Sequence, residues 1–208
     1  MGEKNVLVVR HLKKQIGAKQ ILKDVSFQAG LGELLAITGA NGAGKTTLLR
    51  IIAGLSRKSG GEVIWNGGNI GYIAHQPMLY GSLSVQENLA FFAEMYGTMS
   101  QRRVQELLEL VDLWLYRLEP AAVLSRGMQQ RLAIARALMI APALLLYDEP
   151  FTSLDADGRA VLRRVLAEYR PRTVQLVITH EPQHFGELGY REIRLKDGRV
   201  VEGGDRSA

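Results

Sequence analysis

A glycine-rich segment, residues 39–46, limits the possible folds of this chain more than any other part of its sequence. The segment reads G-A-N-G-A-G-K-T and lies between an apolar run, ELLAIT, and a helix-forming run, TTLLRII. It fits the pattern G-x-x-x-x-G-K-[ST], in which glycines let backbone N–H groups turn inward around an anion. The N-terminus of the following helix adds a positive end. The sequence therefore predicts a strand, a phosphate-binding loop and a helix in direct succession.

The side chains of this segment predict how it binds a nucleotide and its magnesium ion. We expect Lys45 to reach the β- and γ-phosphates, and Thr46 to place its hydroxyl on Mg²⁺, which prefers oxygen ligands. The predicted nucleotide-binding residues are Gly39, Ala40, Asn41, Gly42, Ala43, Gly44, Lys45, Thr46 and Thr47.

Two acidic residues end a second apolar run, LLLYDE. Because successive side chains of a strand point in opposite directions, Asp148 and Glu149 can hold different roles. We expect Asp148 to support the Mg²⁺ shell and Glu149 to polarise the attacking water as a general base. Such a run alone is as often a strand that enters a loop, but a phosphate loop in the same chain requires a carboxylate near its Mg²⁺.

Two further polar residues follow predicted strands. His180 comes directly after TVQLVIT, at the strand end where open α/β sheets bind ligands, and we expect it to contact the γ-phosphate. Gln76 ends the predicted strand GYIAHQ, and its amide could touch both Mg²⁺ and water. Without other evidence, a hydrophilic strand end is the better interpretation of Gln76. The remaining histidines, His11, His75 and His184, are interpreted as structural.

The hydrophobic pattern divides the chain into three segments. Residues 1–76 are rich in β signals and include a predicted hairpin, EVIWNGGNIGYI, around an Asn-Gly turn. Residues 77–141 have helical periodicity, and residues 142–208 read strand, helix, strand. One helical face is formed by Val104, Leu107, Leu108 and Val111. The pattern predicts a single domain, an α/β core from 1–76 and 142–208 interrupted by a helical subdomain at 77–141.

Composition excludes several classes of protein. Of the 208 residues, 47% are hydrophobic and 23% are charged, so the chain has enough apolar side chains for a packed core. It contains no cysteine, which excludes disulfides and thiolate metal sites. No apolar run approaches the roughly 18 residues that span a bilayer, so we expect no membrane crossing. The net charge of +5 allows acidic partners but selects none.

A third motif, LSRGMQQR at residues 124–131, opens a predicted helix. On its own, Ser125 reads as a helix N-cap. The phosphate loop precedes this motif, however, and the Asp148-Glu149 pair, Ser153-Leu154-Asp155 and His180 follow it. This order resembles the ATP-binding cassette (ABC) ATPases over essentially the whole chain. The resemblance implies the α/β class and a P-loop NTPase fold, with a RecA-like core, an antiparallel β subdomain and an inserted helical subdomain.

The resemblance also implies a working cycle that depends on ATP and Mg²⁺. Two cassettes pack head to tail, and each ATP lies between the phosphate loop of one and the signature of the other. The signature residues that would act in trans are Ser125, Arg126, Gly127 and Met128. Asp155 would lie across the seam, and Gln76 with the helical subdomain would sense a membrane permease. The second cassette would be an identical or a paralogous chain.

Three positions depart from the family pattern. Arg126 and Met128 stand where the common signature has a glycine and a glutamine, while Ser125 and Gly127 are kept. The aromatic residue that usually stacks on adenine falls near Ile16, which offers apolar contact without a π face. We expect weaker or less base-selective nucleotide binding as a consequence.

Within the family, residues 75–97 and 148–155 and the short segment after the last predicted strand resemble the ATP-binding subunit of the haem exporter of cytochrome c maturation. One alternative is the ATPase subunit of a multidrug-type or other exporter. Another, of a different class, is a soluble ABC ATPase that acts on nucleic acid or the ribosome. We expect a peripheral protein on the cytoplasmic face of a prokaryotic membrane, with a permease as partner and no nucleic acid. A module that binds ATP without hydrolysis is disfavoured because Glu149 and His180 are both present.

Overall fold

In a computed structural model of the chain, the structure describes residues 6–98, 100–201 and 205–206. The outermost residues of the predicted core segments (1–5, 202–204 and 207–208) and Met99 of the predicted helical subdomain lie outside the described residues.

Within those ranges the chain forms ten strands and five α-helices. They are β1 (Val6–Ile16), β2 (Lys19–Gly30), β3 (Leu34–Thr38), α1 (Lys45–Ile52), β4 (Gly60–Trp65), β5 (Ile70–Ile73), α2 (Val85–Met95), α3 (Gln101–Leu110), α4 (Arg126–Leu138), β6 (Leu144–Asp148), α5 (Ala156–Tyr169), β7 (Val174–Ile178), β8 (Tyr190–Lys196), β9 (Arg199–Val200) and β10 (Asp205–Arg206).

The strands form one mixed sheet in the order β4-β1-β2-β9-β8-β3-β7-β6-β5, and β10 pairs with β8. The pairings of β3 with β7 and β8, and of β6 with β5 and β7, are parallel. Strand β1 pairs antiparallel with β2 and β4. Every residue of β3, β6 and β7 is buried, because apolar clusters cover both faces of the sheet. The α/β class predicted from the apolar runs is confirmed.

The predicted hairpin at EVIWNGGNIGYI is wrong. Strand β4 pairs with β1, whereas β5 pairs in parallel with β6 at the other end of the sheet. The carbonyl of Asn69 accepts hydrogen bonds from the backbone N–H groups of Ala143 (2.9 Å) and Leu144 (3.2 Å), which aligns β5 with β6. Because Gly71 and Ile73 become buried against the central strands, this pairing removes more apolar surface from water than a hairpin with β4, which has no buried residue.

Helices α2, α3 and α4 pack on each other and, with α5, cover one face of the parallel strands. The helical face predicted in residues 104–111 is buried in this cluster. Helix α1 belongs to the cluster on the opposite face. The sequence patterns did not predict β8 and β9, because β8 buries only Ile193 and Leu195 and otherwise alternates weakly.

We predict that Gly71→Ala destabilises the protein, because the added Cβ would lie 3.0 Å from the Ala137 carbonyl of α4 and 2.9 Å from Leu145. Overpacking of this kind costs about 1–3 kcal/mol of unfolding free energy, measured by urea unfolding. The control is Gly30→Ala, whose Cβ meets no atom within 4 Å. Equal stability of the two variants would contradict the packing of α4 on β5.

Candidate functional site

The glycine-rich loop joins β3 to α1 and is enclosed by neighbouring backbone. Gly39, Gly42 and Gly44 all have positive φ, at 140°, 80° and 101°. A Cβ on Gly39 would lie 2.2 Å from the Leu195 carbonyl oxygen, and one on Gly44 would lie 2.6 Å from Leu22. The loop can therefore approach β8 and β2 only because these positions lack side chains. The result is a closed loop, which we call the cradle; that its backbone N–H groups face an anion stays a prediction.

Lys45 lies within this cradle and is only 6% exposed. Its Nζ donates hydrogen bonds to the carbonyls of Gly39 (2.8 Å) and Ala40 (3.1 Å). Burial lowers the pKa of the Lys45 ammonium group, and the carboxylates of Glu149 and Asp148 oppose that shift. A cation is thus held in the loop, opposite two acidic side chains.

Thr46 and Asp148 form a pair of oxygen donors at the start of α1 and the end of β6. The Thr46 hydroxyl donates to Asp148 Oδ1 at 3.0 Å, and the Tyr72 hydroxyl donates to Oδ2 at 3.2 Å. Burial and the neighbouring Asp148 raise the pKa of Tyr72, which favours its protonated, donating form. An alcohol and a carboxylate are the ligand types that Mg²⁺ prefers, so the residues present fit this ion. The role of Tyr72 was missed because no motif contains it.

Glu149 follows Asp148 but occupies a different environment. Its backbone φ of 54° is uncommon for a residue with a side chain, and it turns the chain out of the sheet directly after β6. Asp148 is buried, whereas the Glu149 carboxylate is partly exposed and lies 3.3 Å from His180 Nε2. Glu149 and His180 both line a cavity of about 300 Å³. The structure therefore brings together a carboxylate and an imidazole, with space beside them for water.

Gln76 is not brought into this cluster. Strand β5 ends at Ile73, so Gln76 lies exposed in the following loop rather than at the strand end where we expected it. The reason is that Ile73 pairs with Tyr147, and the chain leaves the sheet soon after Tyr147. Gln76 instead lines a separate cavity. Its roles toward Mg²⁺ and water stay predictions.

That separate cavity, which we call the groove, has a volume of about 710 Å³ and includes Tyr72, Gln76, Met78, Phe92 and Arg136 in its wall. Met78 is 66% exposed, and Leu55, Tyr80 and Tyr96 in the same wall are also exposed. The Arg136 guanidinium is partly buried, donates to the Met78 carbonyl and lies 4.9 Å from the centre of the Phe92 ring. Sequence patterns did not predict the groove, since its residues come from three elements, β5, α2 and α4, and from the segments that follow α1, β5, α2 and α4.

The signature segment begins α4, and Ser125 is its N-cap, as the sequence predicts: its Oγ accepts from the Met128 N–H at 3.2 Å. Arg126 Nε donates to Ser153 Oγ at 3.0 Å, and a Cβ on Gly127 would lie 3.2 Å from the Ser153 carbonyl. The segments 125–128 and 153–155 are therefore neighbours.

Asp155 is exposed and caps α5 through a 2.8 Å hydrogen bond from the Gly158 N–H. The roles of Asp155 and of the signature residues in trans stay predictions.

Ile16 is 59% exposed at the end of β1, where it pairs with Lys19. Lys19 belongs to the wall of a cavity of about 600 Å³ that adjoins loop residues 39–43. The same wall contains three further basic residues, Lys23, Arg194 and Lys196. Sequence reasoning missed this basic wall, because the sheet order alone brings β2 and β8 to the loop. Positive charge here favours an anion at the loop.

Among the described residues, no helix is long and apolar enough to span a membrane.

The sequence of the chain is similar to those of known transport proteins. Residues 22–152 match the family described as ABC transporter. The sulfate/thiosulfate import ATP-binding protein CysA of Methylococcus capsulatus is 38% identical over 94% of this chain and 62% of its own length. CysA 1 of Agrobacterium fabrum is 35% identical, with the same coverage of 94% and 62%. The chain thus spans about three-fifths of the length of these relatives.

Solved structures agree with the fold. The structure of an ATP-binding subunit of an ABC transporter is 30% identical and aligns with a TM-score of 0.85, covering 96% of this chain and 90% of that one. An ATP-binding cassette of an ABC transporter in its ADP conformation, at 21% identity, shares the fold with a TM-score of 0.82 over 98% and 92% of the two chains. The predicted P-loop NTPase fold of the cassette type is confirmed.

We predict that Lys45→Ala weakens nucleotide binding, because it removes the buried cation of the loop. Hydrogen bonds to charged groups contribute about 1.5–3 kcal/mol, which corresponds to roughly 10- to 100-fold in the dissociation constant of a fluorescent ATP analogue. The control Lys13→Ala removes an exposed lysine of β1 and leaves the affinity unchanged. Unchanged affinity in Lys45→Ala would mean that the phosphates bind elsewhere.

Proposed function

This chain belongs to the ABC transporter family, and we propose that it binds and hydrolyses ATP as the motor subunit of a membrane transporter. The proposal rests on one observation. The hydrogen bond from Thr46 to Asp148 lies at the same edge of the sheet as the contact between the Glu149 carboxylate and the His180 imidazole. These residues come from three separate motifs, yet they meet where the phosphate loop ends.

We assign a role in hydrolysis to each of the predicted residues. The loop N–H groups and Lys45 would bind the β- and γ-phosphates, and Thr46 and Asp148 would hold Mg²⁺. Gln76 lies outside this cluster and would have to approach it to act as a further ligand. When bound, Mg²⁺ neutralises charge on the phosphate oxygens. Glu149 accepts a proton from the attacking water as the water oxygen bonds to the γ-phosphorus and the bond to the β–γ bridging oxygen breaks. His180 orients the Glu149 carboxylate and contacts the γ-phosphate.

We further propose that two cassettes, identical or paralogous, enclose two ATP molecules. The N-terminus of α4, with Ser125 and the Gly127 N–H, would act as an anion receptor. Within the chain, Ser125 Oγ accepts from the Met128 N–H, and Arg126 Nε donates to Ser153 Oγ. Phosphate from a second cassette would complete this receptor, with Arg126 and Met128 beside that phosphate. Asp155, next to Ser153, would then lie at the seam. Binding of ATP closes the pair and hydrolysis releases it.

The groove supports a membrane permease as the partner. Its exposed apolar side chains, including Leu55, Met78 and Tyr96, suit a short helical segment of another protein. The predicted permease-sensing residue Gln76 lies in the same wall. A chain docked in this way is peripheral, on the cytoplasmic face of the membrane.

The transported substrate separates two hypotheses. The CysA relatives are named for import of sulfate or thiosulfate, whereas residues 75–97 and 148–155 resemble a haem exporter of cytochrome c maturation. The names of these relatives lend no support to haem export, and a multidrug-type exporter is a further alternative. Reconstitution with candidate permeases decides among them, because only the transported compound stimulates ATP hydrolysis in the matching complex.

We predict that Glu149→Gln lowers turnover by roughly 10²- to 10⁴-fold, the usual contribution of a general base, while ATP binding persists. The amide cannot accept the proton, so the closed dimer accumulates in ATP. Phosphate release measures turnover, and light scattering measures mass. A variant that stays monomeric in ATP would argue against the two-cassette arrangement.

We predict that Met78→Glu reduces recovery of the chain with its permease by at least about tenfold, because a charge buried in an apolar contact costs several kcal/mol. The control is Leu115→Glu, at an 88% exposed position outside the groove. Recovery of the unmodified chain with ribosomes or DNA, and none with membranes that contain the permease, would instead favour the soluble ABC ATPase that acts on nucleic acid or the ribosome.

A further inference from the structure

Tyr72 of β5 connects the groove to the Asp148 carboxylate. Its side chain is part of the groove wall, and its hydroxyl donates to Asp148 Oδ2 at 3.2 Å. The other carboxylate oxygen, Oδ1, accepts from Thr46 at 3.0 Å. Each oxygen of this buried carboxylate is therefore fixed by a hydrogen bond from a different element, one from α1 and one from β5.

The backbone around Tyr72 is fixed. Tyr72 pairs with Leu146 in the centre of the β5–β6 ladder, and the neighbouring Gly71 and Ile73 are buried. The positive charge of Arg50 of α1 opposes the rise in the Tyr72 pKa, so Arg50 lies near the hydroxyl. Because this ladder holds the backbone of β5, we expect an object that presses on Tyr72 from the groove to displace its ring before its backbone. Motion of the ring moves the hydroxyl and with it the orientation of the carboxylate.

We propose that Tyr72 is a positioning residue that orients the Asp148 carboxylate for the divalent cation and transmits occupancy of the groove to it. The inference rests on the proposed function, because it takes Asp148 as a ligand of the cation that accompanies ATP. Among the described residues of the groove wall, Tyr72 is the one that hydrogen-bonds to Asp148. Gln76 lies in the same wall but is exposed and outside that hydrogen-bond network.

The first test is Tyr72→Phe, which removes the hydroxyl and keeps the ring. Mn²⁺, which accepts the same oxygen ligands as Mg²⁺, is titrated by electron paramagnetic resonance in the presence of a non-hydrolysable ATP analogue. We expect the Mn²⁺ dissociation constant to rise about 3- to 30-fold, below the full value of a hydrogen bond to a charged group because Tyr72 is only half-buried. Affinity for the analogue in excess chelator stays unchanged.

The matched control is Tyr116→Phe, which removes an exposed tyrosine hydroxyl far along the chain from the site. An unchanged Mn²⁺ dissociation constant in Tyr72→Phe, with normal thermal unfolding, would overturn the positioning role. A chain that binds no Mn²⁺ even with the analogue would instead contradict the proposed function itself, so the two failures are distinguishable.

The second test fills the groove chemically. Because the chain contains no cysteine, Met78→Cys introduces a single thiol in the groove wall for a bulky maleimide. We expect the label to change the Mn²⁺ dissociation constant about threefold, the lower limit of the effect of Tyr72→Phe, and to have no effect when Tyr72→Phe is also present. Labelled Leu115→Cys is the control. An equal response with and without the Tyr72 hydroxyl would overturn the transmitting role.

Discussion

The close approach of the phosphate loop to strands β2 and β8 is the constraint on which the site depends. The Gly39 position leaves no room for a Cβ beside the Leu195 carbonyl, and Gly44 is confined less tightly, by the Leu22 side chain and the Ile21 carbonyl. The loop therefore packs closely against β2 and β8, two strands that are far apart in sequence. Only in that position does α1 begin with Lys45 inside the cradle and Thr46 against the end of β6.

The electrostatics of the site follow from this placement. A buried lysine faces Asp148 and Glu149, so the chain alone holds a cation beside two anions, and a phosphate chain with its metal ion adds charges of both signs to that balance. The sharp turn at Glu149 separates the two carboxylates, one buried beside Thr46 and one next to His180. Tyr72 lines the groove and donates to the same Asp148 carboxylate, so a single side chain separates the proposed docking surface from the proposed metal ligand.

Particular elements mark how far sequence reasoning reached in the fold. The central strands β3, β6 and β7 were predicted because strands buried on both faces are continuous apolar runs. The face of α3 was predicted because its periodicity records one buried side. The hairpin prediction was wrong because an Asn-Gly turn is only a local signal. The pairing partner of β5 was decided instead by burial against β6, a strand about seventy residues later in the chain. Strand β8 was missed because it buries only two apolar side chains.

The sequence by itself determined the family, the fold class and the candidate residues of the phosphate loop, the acidic pair and His180, because these functions require fixed residue types at short, fixed spacings. Only the tertiary structure decided which side chains surround them. Elements distant in the chain meet in the sheet, and their meeting places Tyr72 beside Asp148 and forms the groove. It also forms the basic wall of Lys19, Lys23, Arg194 and Lys196. Such neighbours leave no local pattern, because the free energy that selects them comes from burial and strand order rather than from adjacent residues.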